Sequence, residues 1–241
     1  MTETTQIETV GISTEPTWQK ENIVERKTVV YETHLDPAVI RVTGEKLKKQ
    51  LFTRYGLFKP KSEEIQFVSQ DKYYETYIVI NGRYLIDYFR NRTYLFKVDE
   101  AVREVVLLNK KFMPEASRSA RVVKIYGEER LVHEVKSFLI MDKNGRDAQV
   151  ENLPSAPSEK KPEKAIEQHG IDELPQNTDV DFVRARIARR PEDISRIVEE
   201  IFEVTERTVI YAPRFRVAFK NTSTGEEKAL VIDGVSSKRI K

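Results

Sequence analysis

Glu134, Val135 and Lys136 set a carboxylate and an amine two residues apart, on one side of an expected strand. With a second carboxylate on a neighbouring strand, such a pair could hold a divalent cation and turn water against a phosphodiester. The acids between Asp99 and Glu134 are Glu100, Glu104, Glu115, Glu128 and Glu129, and only Glu104 falls in a convincing strand. The second ligand is therefore missing from the pattern, and an acid-x-lysine on a solvated strand is the simpler reading. His34, His133 and His169 are the only histidines, far apart and without partners at ligand spacing. His133 adjoins Glu134, but strand alternation sends neighbours to opposite faces. The chain has no cysteine, which excludes disulfides and thiolate metal sites. Its nine glycines are scattered singly, and none of the phosphate-loop, nucleophile-elbow, zinc-protease or EF-hand patterns can be written. No catalytic residue, metal ligand or cofactor is assigned, and a non-enzymatic role is the expectation.

The side chains left to consider are tyrosines and arginines. Between Lys72 and Val98, two β-branched and aromatic runs flank Asn81-Gly82, the strongest short hairpin signal. A two-residue turn there would pair Val79 with Tyr84, Tyr77 with Ile86, Glu75 with Tyr88 and Tyr73 with Arg90 on one face. Tyr73, Tyr77, Tyr84 and Tyr88, rimmed by Arg90, would then form a band suited to a protein interface, where a large ring with a polar tip is favoured. Beside phosphate contacts, the same band would stack single-stranded bases. A second cationic set, Arg184, Arg186, Arg214, Arg216 and Lys220, occupies alternate positions of two expected strands. On one sheet these would make a basic face, the alternative nucleic-acid surface.

The elements that would carry these residues divide into two units. Residues 1–23 read as a polar, acidic, disordered tail holding the only tryptophan, Trp18. Residues 24–150 read as an α+β domain around the hairpin. Asp36-Pro37 caps its helix, with Leu47, Leu51 and Tyr55 on one stripe and Gly56 ending it. Residues 151–179 hold four of the ten prolines and a surplus of acid, and read as a linker. Residues 180–241 read as a second α+β domain, with a strand at 181–190 and a Pro191-opened helix carrying Ile194, Ile197, Val198, Ile201 and Phe202. The fold class expected is thus α+β: two small antiparallel sheets, each packed on one amphipathic helix.

The two units share an order of elements, with Val98-Asp99-Glu100-Ala101-Val102 answering Ile232-Asp233-Gly234-Val235, and are read as a candidate tandem repeat. The phrase YAPRFRVAFKNTSTGEEKALVIDGVSSK, with the helix expected before it, resembles the α-β-β units of PepSY-like and cystatin-like domains over about residues 191–241. That resemblance rests on pattern and implies a binding or regulatory module.

By segment, the formal charge is about −3 over 1–22, about +6 over 23–150, about −4 over 151–179 and about +3 over 180–241. No apolar run approaches the ~20 residues of a bilayer span, and the N-terminus is unlike a signal peptide, so the expected location is cytoplasmic, off the membrane. A cysteine-free composition rich in Glu, Lys and Arg and poor in Gly resembles that of thermophiles. The leading expectation is an adaptor docking a protein partner, or forming a homodimer, through exposed sheet faces. RNA or DNA binding is the alternative.

Overall fold

Residues 65–98 form one unbroken strand of 34 residues, β3 (Ile65–Val98), in the computed structural model, which describes residues 20–53, 60–117, 120–149 and 155–240. The expected hairpin at Asn81-Gly82 does not form. A type I′ turn needs φ above zero at both central residues, and both lie in extended strand. β3 is hydrogen-bonded to a strand on each side, and those ladders, with dense β-branched and aromatic residues before and after the dipeptide, outweigh a local turn preference. Continuity changes the faces. Along an extended chain Tyr73 and Tyr77 share one side, while Tyr84 and Tyr88 share the other, so the four-tyrosine band does not exist. On the even side every residue from Thr76 to Tyr88 is buried.

The elements before β3 are β1 (Lys20–Ile23), β2 (Lys27–Val30), α1 (Pro37–Leu51) and a 3-10 turn (Ser62–Glu64). After it come β4 (Val105–Leu107), β5 (Lys110–Phe112), β6 (Glu115–Ala116) and β7 (Arg121–Asp142). The remainder is α2 (Pro162–His169), α3 (Thr178–Ile187), β8 (Arg196–Asn221), β9 (Glu227–Asp233) and β10 (Arg239–Ile240). Hydrogen-bonded neighbours follow the order β10-β9-β8-β3-β7-β6, with β1 and β2 also on β8. β4 and β5 make a separate two-stranded ribbon. The class is mixed α+β, with antiparallel pairing between β8 and β9 and parallel pairing between β2 and β8.

The chain forms two compact units that interleave in sequence, unlike the expected consecutive domains. The described residues of unit 1 fall within 20–22, 84–134 and 190–203; those of unit 2 fall within 23–83, 135–189 and 204–240. A linker boundary at 151–179 cannot separate units that share three long strands, because β3, β7 and β8 each contribute to both.

Unit 2 holds every helix among the described residues. α1 begins as expected: Asp36 accepts from the Ala38 N–H at 2.7 Å, and Pro37 takes the first turn. The helix runs unbroken to Leu51; Tyr55 and Gly56 lie outside the described residues. Its Ile40, Leu47 and Leu51 pack on Phe215, Val217, Phe219, Leu230 and Ile232 of β8 and β9. Gly44 permits that approach, since a Cβ there would meet Val217 Cγ1 at 3.0 Å. A second cluster on unit 2 joins Tyr77, Ile210 and Ala212 with Val29, Tyr31 and Val79.

Three expectations for the C-terminal half are corrected. The acidic segment is ordered over its described part. Glu159 N–H donates to Val30 O at 2.8 Å and Glu32 N–H to Pro157 O at 3.0 Å. α2 buries Ala165, and Leu174 is buried beyond it. The free edge of β2 supplies hydrogen bonds that a count of apolar residues does not see. Residues 178–187 are helix, not strand. Val183 and Ile187, four apart, satisfy both periods, but Val180 completes the helical stripe, and Asp179 with Asp181 at the start and Arg184 with Arg186 at the end match the macrodipole. Residues 196–202, expected as helix, are the start of β8, in a stretch whose β-branched residues continue to Ile210. The shared element order behind the repeat, and the leading helix of the α-β-β resemblance, both needed a helix at 191–202. Trp18 and the expected disordered tail, apart from 20–23, lie outside the described residues.

Asn81→Thr separates strand from turn. In a strand the β-branched residue is neutral or stabilising within about 0.5 kcal/mol, read by urea denaturation, whereas a type I′ hairpin would lose its left-handed residue and unfold more readily.

Candidate binding surface

Of the residues assigned to the tyrosine band, only Tyr73 is exposed, at 39%; Tyr77, Tyr84 and Tyr88 are buried. Tyr77 belongs to an ion-pair cluster in unit 2. The register sets Arg214 of β8 opposite Asp233 of β9, and the guanidinium, 0% exposed, is paired with that carboxylate. Arg214 Nε donates to Glu75 Oε2 at 2.8 Å and a terminal nitrogen donates to the Tyr77 hydroxyl at 2.8 Å. The Tyr77 hydroxyl donates in turn to Glu75 Oε2 at 2.8 Å. Asp233 Oδ1 is satisfied separately by the backbone N–H groups of Val235 and Ser236 and by the Ser236 hydroxyl. Burial pushes the Tyr77 phenol up to about 12, against the pull of the Arg214 guanidinium.

Tyr84 lies in unit 1, where its hydroxyl donates to Glu200 Oε1 at 2.9 Å. Glu200 is fully buried and takes a bidentate Arg190 at 2.8 and 2.6 Å. Burial raises the Tyr84 phenol well above its ordinary value, with Glu200 adding to the shift. Arg90 donates to Glu129 at 2.8 Å and to Asp193 at 3.1 Å. Tyr94 donates to the same Glu129 at 2.7 Å, and these two donors hold that carboxyl below the usual range.

The expected cationic sheet face does not assemble. Arg184 and Arg186 sit on α3, the first paired with Asp181 at 3.0 Å and the second with Asp147. Arg214 is internal. Arg216 and Lys220 are exposed on β8, and Lys220 meets its cross-strand partner Glu227 at 3.2 Å. Burial of Arg214 and the change of 178–187 to helix are what dissolve the set. Glu134 and Lys136 do lie on β7, as expected, but no group of three or more His, Asp or Glu among the described residues could hold a metal.

The sequence did not single out the surface that unit 1 presents. Every residue from Asn91 to Lys97 at the end of β3 is exposed, so both faces of that strand meet solvent. Alternation puts Leu95 on one side and the stacked pair Tyr94 and Phe96, 6.3 Å apart, on the other. On β7, Tyr126 is 77% exposed and Val132 is also exposed. Asn91, Arg92, Thr93, Tyr126, Gly127 and Glu128 line an open hollow of about 360 Å³. Beyond β3, Val106, Leu107, Leu108 and Met113 are exposed on or beside the ribbon. An alternation count over 91–98 could have flagged this region, because TYLF carries apolar residues on both sides.

Arg214→Met leaves Asp233 buried without its counter-charge and is expected to cost about 3–5 kcal/mol in chemical denaturation, while Arg216→Met on the exposed side stays within about 0.5 kcal/mol. The raised Tyr77 value gives a signed pH effect. The folded state holds that proton more tightly than the unfolded chain, so the contribution is whole below about pH 10 and is lost as pH rises towards 12. Melting temperature should fall over that window, and Tyr77→Phe should make the fall shallower. Among the described residues no helix is long and apolar enough to cross a membrane. Comparisons of the chain with protein-family models, curated proteins and solved structures each return no match.

Proposed function

We propose that this is a non-enzymatic binding protein that docks a protein partner against the exposed end of β3 and the β7 surface beside it in unit 1. One observation carries the reading: no helix among the described residues belongs to that unit, while its strands expose aromatic and aliphatic side chains on both faces. A sheet normally buries at least one face against a second layer, and contiguous apolar exposure of this kind marks an interaction surface. The composition suits a protein. Leu95, Tyr126 and Val132 supply aromatic and aliphatic anchors on one side of the sheet, and Arg92 and Glu128 give the hollow a mixed-charge rim. Nucleic acid would be better served by unpaired cations on one face, whereas Arg184, Arg186, Arg214 and Lys220 are all engaged with carboxylates. A cytoplasmic setting belongs to the same reading.

The test is affinity capture with the full chain, followed by pairwise titration of the identified partner. Leu95→Ser, Tyr126→Ser and Val132→Ser should each weaken binding by about tenfold or more, with Arg216→Ser as the unchanged control. Binding that survives all three variants sinks the proposal. A steep loss with salt on single-stranded RNA, abolished by Arg92→Ser, would promote nucleic acid in its place.

A further inference from the structure

The β4–β5 ribbon has two edges, and they are built differently. Leu108 and Asn109, at φ 50° and 60°, form its two-residue loop, with Leu107 opposite Lys110, Val106 opposite Lys111 and Val105 opposite Phe112. Charged side chains, lysine above all, are the usual guard of an open strand edge. β5 carries Lys110 and Lys111; β4 and the turn residue after it, Val105–Leu108, carry no charge at all. The residues flanking a two-residue loop exchange both backbone hydrogen bonds. The N–H and C=O of Val106 therefore point away from β5, to the side where β4 has no neighbour among the described residues. A two-stranded ribbon is marginal in water and gains independent stability from a third strand.

We infer that β4 pairs antiparallel with β4 of a second copy of this chain, joining two ribbons into a four-stranded sheet about a two-fold axis. The outward groups of Val106 fix the register: Val106 lies opposite Val106 of the second copy, and Val105 opposite Leu107. Glu104 then faces Leu108, and Arg103 faces Asn109, so no like charges meet. Glu104 also keeps its own Lys111 partner, at 3.1 Å. Both lysines of β5 stay on the outer strands of the joined sheet. The absence of charge along β4 is what lets an identical edge fit; a guarded edge would place lysine against lysine. This pairing goes beyond the docking reading, because it uses the ribbon's edge and not the faces of β3 and β7.

The chain has no cysteine, so Val106→Cys supplies a single thiol. Opposed residues in an antiparallel pair have Cα atoms about 5.5 Å apart, within disulfide range. With oxidised glutathione as oxidant, Val106→Cys should give cross-linked dimers at least ~10-fold faster than Lys111→Cys, which places its thiol on the outer strand. Sedimentation of the unsubstituted chain should show a dimer that dissociates on dilution. Leu107→Lys should abolish it while circular dichroism stays unchanged, which keeps the test valid if the cysteine variant misfolds. A chain that sediments as a monomer at every concentration overturns the proposal, as does equal cross-linking at positions 106 and 111. Leu95→Ser and Tyr126→Ser should leave association intact. Loss of the dimer in those variants would overturn the ribbon pairing and leave the docking surface standing.

Discussion

An extended strand has two faces, and over an unbroken length their assignment is made once. β3 applies that constraint across 34 residues. The even positions from Thr76 to Tyr88 go inward as a set, and Tyr84 and Tyr88 go with them. Tyr77, on the odd side, becomes a hydrogen-bonding member of a charged cluster, and Tyr73 stays near solvent. No side chain on this strand could change sides without a bulge or a turn, so its neighbours on β7 and β8 must supply partners for whatever each face presents.

The two units meet that demand differently. In unit 2 a helix covers the apolar face, and charges go inward only as pairs fixed by register or by a helix start. Arg214 faces Asp233 across β8 and β9. Arg207 holds Asp179, in the first turn of α3, through two bonds of 2.6 and 2.9 Å. Removing a charge from water costs several kcal/mol unless its partner is close and well oriented, and bidentate geometry meets the condition. Unit 1 uses the same device at Arg190 and Glu200, and at Arg130 and Asp87. No helix among the described residues belongs to it, and the end of β3 from Asn91 to Lys97 is exposed on both sides.

Some elements were legible because local signals agreed with the fold. Asp36-Pro37 announced α1, and Phe215, Val217 and Phe219 alternate inward as their spacing demands. Asn81-Gly82 misled because a turn preference is local, while strand continuity is decided by neighbours far away in sequence. The exchange of helix and strand between 178–187 and 196–202 has a similar source. Val183 and Ile187 fit either period, and Ile194 to Phe202 follow a helical stripe that β8 does not use. The exposed apolar end of β3 was hardest to read, since exposure on both sides of a strand depends on what packs against it and not on its own residues. Arg214 could not be recognised as buried from its alternation with Arg216 and Lys220, because only the opposing Asp233 makes its position tolerable.

The reach of the Arg214 cluster also sets the order of events in synthesis. Glu75 and Arg214 are 139 residues apart, and Tyr77 and Arg214 are 137 apart. The first half of β3 emerges from the ribosome long before the strand and the counter-charge that complete its surroundings. Pairings this distant fold slowly, because the entropy of closing the intervening chain is lost before any contact compensates. For that interval the nascent polypeptide carries an aromatic, β-prone segment without its neighbour, the kind of exposure that draws chaperones and invites aggregation. Lys72, Glu75, Arg83 and Asp87 space charges through that segment, the arrangement by which gatekeeper residues interrupt an aggregation-prone strand.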